Sequence, residues 1–273
     1  MPIRQVTDSE YHEGEGISKS GLWDLWTKTP FHYRYGVKPE RAALELGKAS
    51  HIAILEPARL EEAVIKGPAD RRGNKWKEAQ DFARFSNAIL LTESDYETVL
   101  RIRDLSAAVP ALNQMRDGEH IVETAAYHVD EETGMLLKTK PDMFSVDQRM
   151  ICDIKNVVDA SPSAFARSVA KFGYHVQEPV YTDVWSKGSG YDVEAFFFVV
   201  FEKSDPPMVA VYELDASAVA EGHAIYRAAL AKYAECVKAD NWPGYSAEVQ
   251  TLHLKPWDYK LTRPEAEDME GGE

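Results

Sequence analysis

The chain has 273 residues, of which 44% are apolar and 28% charged, and its formal net charge is −14. That length suits one α/β domain with insertions, and that balance excludes a disordered chain. No apolar run approaches the roughly 18 residues of a membrane span, and the N-terminus lacks the apolar core of a secretion signal, so a cytoplasmic protein without membrane contact is expected.

Two cysteines, Cys152 and Cys236, cannot build a disulfide framework or a four-cysteine metal site. Glu265, Glu267, Asp268, Glu270 and Glu273 fall in the last ten residues with no base among them, which leaves −9 on the rest. Such a body can meet nucleic-acid phosphates only through a basic channel confined to one face, with cations over its carboxylates.

Residues 11–35 open on a glycine-rich turn, after which Ile17, Leu22, Leu25 and Trp26 recur at helical spacing. Ser18 or Ser20 serves as N-cap, and Pro30 ends the helix near Thr29. Residues 40–57 read as a second helix, with Gly47, Ile54 and Leu55 mostly on one side and His51 as a hydrogen-bonded core residue. Residues 66–78 gather Arg71, Arg72, Lys75 and Lys77 around a glycine with Trp76 among them. This loop suits backbone-phosphate contact with the tryptophan stacked on an exposed base, or else it is a plain solvated loop. Residues 79–116 read as helical, through Ile89 and Leu90 to a break at residues 92–94 where Ser94 can cap the next helix. Residues 119–129 alternate as one strand carrying Glu123, and residues 130–134 turn back.

From Leu136 to Asn156 two apolar, strand-like runs are joined by the turn-prone residues 146–149. Asp142 lies near the end of the first run, and Asp153 and Lys155 lie in the second. Alternation along a strand points Asp153 and Lys155 the same way, while Ile151, Cys152 and Ile154 help fill the core. A hairpin brings Asp142 back against Asp153, and two adjacent carboxylates call for a divalent cation. Oxygen ligation beside a lysine suits Mg2+ or Mn2+ better than zinc. The chemistry this suggests is phosphodiester hydrolysis, with Lys155 holding the nucleophile or offsetting developing negative charge. The plain alternative is an exposed Asp–Lys pair on a surface hairpin, worth little.

Ser161 and Pro162 start a helix that breaks at Gly173. In residues 174–187, Gln177 and Tyr181 stand four apart on one helical face. Pro179 between them is unfavourable mid-helix by roughly 3 kcal/mol, so a kink is expected there. Residues 194–201 and 208–214 are strands, the first apolar almost throughout and hence central. A helix over 215–238, capped by Asp215 or Ser217, is broken at residues 241–245. The remainder is mixed loop, and the acidic last ten residues are expected to be disordered.

Pro141-Asp142 followed after ten residues by Asp153-x-Lys155 resembles the PD-(D/E)xK nuclease superfamily. GKASHIAILEP at 47–57, KPDMF at 140–144, ICDIKN at 151–156 and YHVQEPVYTDVW at 174–185 look like the RecE (exodeoxyribonuclease VIII) branch and related phage proteins, over residues 11–201. The resemblance implies an α/β, restriction-endonuclease-like core, with a mixed central sheet of about five strands flanked by helices. One nuclease domain is expected over 1–263, with a helical N-terminal segment over 1–116, a catalytic core over 117–214 and a C-terminal helix over 215–240 with its loop, followed by the acidic tail 264–273.

The same resemblance moves His51 to the metal site with Asp142, Asp153 and Glu123, and gives Lys155 the task of assisting the attacking water. Gln177 and Tyr181 become a Q-x-x-x-Y motif that touches DNA beside the active site. Ser18 and Ser20 join Arg71, Arg72, Lys75 and Trp76 as DNA-binding candidates. Thr29 falls where iron–sulfur members place a cysteine, and Asn156 where close RecE relatives carry a threonine. The implied activity is an Mg2+- or Mn2+-dependent exonuclease that degrades one strand of linear double-stranded DNA from its 5′ end. Toroidal oligomers, a tetramer among them, and a RecT-like annealing protein working in recombination are implied as well. The rival readings are a structure-specific or RecB-like endonuclease with the same site, and a non-catalytic DNA-binding module.

Overall fold

In the computed structural model, which describes residues 3–37, 43–204 and 206–254, the N-terminal region runs through β1 (Arg4–Gln5), α1 (Asp8–Glu13), α2 (Lys19–Thr27), α3 (Pro30–Tyr35) and α4 (Ala43–Leu55). There follow α5 (Leu60–Ala63), β2 (Val64–Lys66), α6 (Asn74–Phe85), β3 (Ile89–Leu91), α7 (Glu93–Ser106) and α8 (Pro110–Asp117). The core continues with β4 (His120–Val122), β5 (Thr124–Val129), β6 (Leu136–Thr139), β7 (Met143–Ser145) and β8 (Met150–Val157). Then come α9 (Pro162–Phe172), α10 (Tyr174–Ser189), β9 (Ala195–Glu202), β10 (Met208–Tyr212) and α11 (Ala216–Ala239).

Local chemistry explains most boundaries. Thr7 and Glu10 form a capping box that starts α1, Thr29 caps α3 ahead of Pro30, and the Asp215 carboxylate accepts from Ser217 and Ala218 at the start of α11. Gly173, at φ 66°, separates α9 from α10 in the left-handed conformation that glycine adopts without penalty. Two expectations are corrected here. Ile89–Leu91 is not helical but pairs in parallel with Val64–Lys66, with Leu91 buried in a small apolar cluster shared with α4 and α7 and Leu90 buried against α6. The cap of α7 is Thr92, whose hydroxyl accepts from Asp95, and not Ser94.

A five-stranded mixed sheet has the order β10-β9-β8-β7-β4, with β8 and β9 parallel and the other neighbours antiparallel. Its two faces follow the alternation of β8 and β9. Cys152, Ile154, Phe197, Val199 and Phe201 pack toward α4, α7 and α8, whereas Ile151, Phe196, Phe198 and Val200 pack toward α9 and α10. The sheet is thus covered by helices on both sides, as expected of a restriction-endonuclease-like core. A second sheet of order β1-β5-β6 stands beside it, and α2, α10 and α11 pack together around Val176, Val180 and Tyr226.

The single strand expected over 119–129 is broken at Glu123, whose φ is 45°. The first apolar run of the central hairpin is likewise broken, between Thr139 and Met143. Both arms change sheet at this level: β5 and β6 pair in the smaller sheet, β4 and β7 in the larger. One register runs through both pairings, so Glu123 faces Asp142, and the Glu123 N–H donates to the Asp142 carbonyl at 3.2 Å.

Met1–Pro243 forms one compact unit and Gly244–Glu273 a second, whose described residues 244–254 are irregular and exposed. The acidic tail 264–273 lies outside the described residues. Among those described, no helix is long and apolar enough to cross a membrane.

Candidate active site

The site forms where β7 leaves β8. Met143 pairs with Cys152, which sets Asp142 level with Asp153, but β7 contributes no ladder partner beyond that point. The Asp142 carboxylate takes its place: Oδ2 accepts the Ile154 N–H at 2.6 Å. The uncovered edge of β8 becomes the floor of an open cleft of about 970 Å3 that His51, Glu123, Asp142, Lys155 and Tyr181 line.

α4 reaches this edge from the opposite side and delivers His51, whose Nδ1 lies 3.5 Å from Asp142 Oδ1 and 3.6 Å from Glu123 Oε1. One ligand atom from each of the three residues falls within 4.8 Å of the others. Opposed ligands of a six-coordinate Mg2+ stand about 4.2 Å apart, so this cluster could close on such an ion with little movement. The electrostatics agree with the donor chemistry. Burial pushes Asp142 up to about 7, with Asp153 and Glu123 adding to it while His51 and Lys155 oppose. His51, despite burial, is raised to about 9 by Asp142 and Glu123. Glu123 goes the other way, lowered against burial by His51 and Lys140, so Asp142 is the acid left short of a cation, and a mixed nitrogen and oxygen set suits Mn2+ and, more weakly, Mg2+.

On β8, Lys155 Nζ pairs with Asp153 Oδ1 as the two-residue spacing predicts, and the Asp153 charge raises the lysine's pKa against the effect of burial. The other Asp153 oxygen accepts from Gln177 Nε2 on α10, and Gln177 is 5% exposed. Tyr181, one turn on, packs edge-on against Phe196 and borders the cleft. α10 runs from Tyr174 to Ser189 with Pro179 inside it.

The remaining candidates fall elsewhere, and none of them lines the cleft. Ser18 occupies the N-cap position of α2 without a side-chain cap bond, and Ser20 is exposed. Arg71 pairs with Asp95 at 3.0 Å, Arg72 with Asp70 at 3.2 Å, and Lys75 is exposed. Trp76 is not available for stacking: at 7% exposure it is packed with Ala83 and Leu90, because the loop ends at Gly73 and the tryptophan lies on the inner face of α6.

Several neighbours of the cluster escaped the sequence reading. Lys140, inside the Lys-Pro-Asp block, bridges Glu123 Oε2 at 2.8 Å and Asp8 at 2.7 Å. Asp8 stands in the Thr7–Glu10 capping box, a signal that could have announced α1. Lys19, 8% exposed, donates to the Phe172 carbonyl at 2.6 Å, and burial together with nearby Lys155 pulls it down to about 7. Tyr174 lies beneath both lysines, its centroid 4.6 Å from Lys155 Nζ and 5.5 Å from Lys19 Nζ.

A helix-flanked mixed sheet whose fork gathers a histidine, three carboxylates and a lysine defines a nuclease of the PD-(D/E)xK type. Residues 31–255 match the family described as a PDDEXK-like domain of unknown function (DUF3799), and the chain belongs to that family. Among solved structures, it is similar to a presumed exonuclease from Eubacterium rectale at 15% identity, over 95% of this chain and 99% of that one, with a TM-score of 0.57. A phage-related exonuclease from Haemophilus somnus 129PT is 11% identical over 84% of this chain and 99% of its own, with a TM-score of 0.34. The first likeness is one of fold. No curated protein matches the chain.

Proposed function

We propose that the protein is a divalent-metal-dependent exonuclease that degrades one strand of linear double-stranded DNA from its 5′ end, leaving 3′ single strands for annealing. The observation that carries the nuclease chemistry is the His51–Glu123–Asp142 cluster beside the Asp153–Lys155 pair, at the floor of one open cleft. His51, Glu123, Asp142 and Asp153 would hold Mg2+ or Mn2+, which when bound supplies a polarised phosphoryl oxygen and a more acidic water. Lys155, fixed on Asp153 and over the Tyr174 ring, presents its ammonium where negative charge develops on the phosphoryl group. Gln177 holds the second Asp153 oxygen and so fixes the carboxylate's direction. Tyr181 borders the path of the strand.

Direction, cellular setting and partners are drawn from the RecE-like blocks. They point to a cytoplasmic enzyme of phage type that works with a RecT-like annealing protein and encircles its duplex as a toroidal homo-oligomer. Ser18, Ser20, Arg72 and Lys75 are then candidates for backbone contacts outside the cleft.

The deciding experiment is incubation with end-labelled linear duplex and with covalently closed circles, in magnesium or manganese. Early release of the 5′ label, intact circles and loss of cleavage in Asp153→Ala are expected. Cutting of closed circles would turn the assignment to an endonuclease of the same type, and undiminished metal-dependent cleavage by Asp153→Ala would sink the catalytic assignment.

A further inference from the structure

The cleft does not end at the metal cluster. β8 and β9 run in parallel to its far side, where Asn156 pairs with Phe201, Val157 with Glu202, and the Lys203 N–H donates to the Val157 carbonyl at 3.0 Å. Alternation sets Asn156, Phe201 and Lys203 on the same face, toward α4 and α7, and Asn156 and Lys203 both line the cleft that holds His51, Glu123 and Asp142.

Five lysine and arginine side chains border this cleft, and four are already engaged. Lys48 pairs with Asp8 at 3.0 Å, Lys140 with Asp8 and Glu123, Arg59 with Glu56 at 2.6 Å, and Lys155 with Asp153. Lys203 has no carboxylate partner among the described residues, and nearby Asp95 already holds Arg71 at 3.0 Å. Half-buried without a counter-ion, its ammonium is pulled below the ordinary lysine pKa. Beside it the Asn156 Oδ1 is buried without a hydrogen-bond partner. An orphaned amide oxygen lacks a donor and repels an anion, but turning the amide over sets Nδ2 at the same spot as a donor. In that orientation the Asn156 amide and the Lys203 ammonium, which has no carboxylate partner among the described residues, form a place on one wall that lacks an anion.

We infer that Lys203 and Asn156 form a subsite for a backbone phosphate of the bound strand, which Lys203 pairs and the Asn156 amide hydrogen-bonds. The inference rests on the nuclease reading above and adds to it the path of the substrate. Asn156 lies three residues beyond Asp153, about 10 Å along the strand at roughly 3.3 Å per residue. The phosphate held here is therefore a neighbour of the one that is cut and not the scissile group itself. Lys203 is a positioning residue in this scheme, since it touches the strand and not the reacting atoms.

The test uses the full chain and a fluorescently end-labelled linear duplex, with calcium in place of magnesium for binding and with magnesium for kinetics. Losing one phosphate contact should reduce the slope of log K against log salt by about 0.9 and weaken binding about five- to tenfold at 0.1 M salt in Lys203→Ala. Lys203→Glu should weaken binding further, Lys203→Arg should restore it, and the kinetic effect should fall on KM more than on kcat. Asn156→Ala should give a smaller loss that salt does not change. If Lys203→Glu keeps the wild-type salt slope and KM while the wild-type protein cleaves, the subsite is wrong and the nuclease reading stands. If the wild-type protein neither binds nor cleaves linear duplex with magnesium or manganese, the nuclease reading fails and the subsite with it.

Discussion

Gly222 in the middle of α11 offers a test of how the site is braced. It packs against α10 at the turn where Pro179, lacking an N–H, leaves the His175 carbonyl without its usual helical donor. A Cβ built on Gly222 would overlap the His175 carbonyl carbon and oxygen and lie 3.0 Å from Val176 N. These are backbone atoms of a helix pinned by Val176, Val180 and Val184 in the core it shares with α11, so they cannot swing aside. Restoring ordinary contact distances requires the helices to part by more than about 1 Å. Overpacking of this kind costs about 1–3 kcal/mol, and so direct an overlap belongs at the upper end. Helix propensity alone would favour alanine over glycine by about 1 kcal/mol. Gly222→Ala is therefore expected to lose about 2 kcal/mol net, a fall in Tm of about 4–8 °C for a unit of this size. Gly47→Ala in α4, where a Cβ would meet nothing within 4 Å, should move Tm upward by propensity. Thermal unfolding followed by circular dichroism decides: if Gly222→Ala melts at or above the wild type, the close approach to His175 has been misjudged. Because α10 carries Gln177, cleavage should weaken along with stability.

Three further outcomes are expected. Asp153→Asn and Lys155→Ala should each slow cleavage of linear duplex by about 10²–10³-fold, and rates within tenfold of wild type would count against the pair's place in the chemistry. Trp76→Ala should cost about 3 kcal/mol in urea unfolding, because it opens a cavity beside Ala83 and Leu90, and a stable variant with impaired DNA binding would return the tryptophan to the interface. Burial pushes the Asp8 carboxyl up, but Lys140 and Lys48 outweigh it and hold the group at about 2, below its ordinary 3.8. Its stabilising contribution should be complete above pH 4 and fade as pH falls from about 3.8 to about 2. The stability gap between wild type and Asp8→Asn should close over that window, and a gap that widens on acidification would contradict the assignment.

What could be read from the sequence divides along a physical line. Period-two alternation sufficed to set Asp153 beside Lys155 and to send Ile154 and Cys152 to the core, because strand geometry is local. The four-residue spacing of Gln177 and Tyr181 likewise put both on the side of α10 that faces β8. The sheet change at Glu123 was hidden, since a glutamate at positive φ has no local signature and is held there by its bond to Asp142. Trp76 misled because a tryptophan among arginines reads the same whether its ring turns outward or under the helix. Lys140 and Lys203 look alike as isolated lysines. That one bridges two carboxylates and the other has none among the described residues follows only from where α1 and the ends of β8 and β9 come to lie.

The hairpin that carries Glu123 and Asp142 ties the chemistry to a residue count. Its two arms keep a single register across both sheets, so a residue added within either arm would slip every later pair and turn a donor from the cleft to the far side. Residues added at the tip, between Asp130 and Gly134, would leave that tally untouched. Variation among relatives should therefore spare the arms, and an addition at the tip would preserve their register only if it leaves Arg227 of α11 its pairs with Asp130 and Glu132.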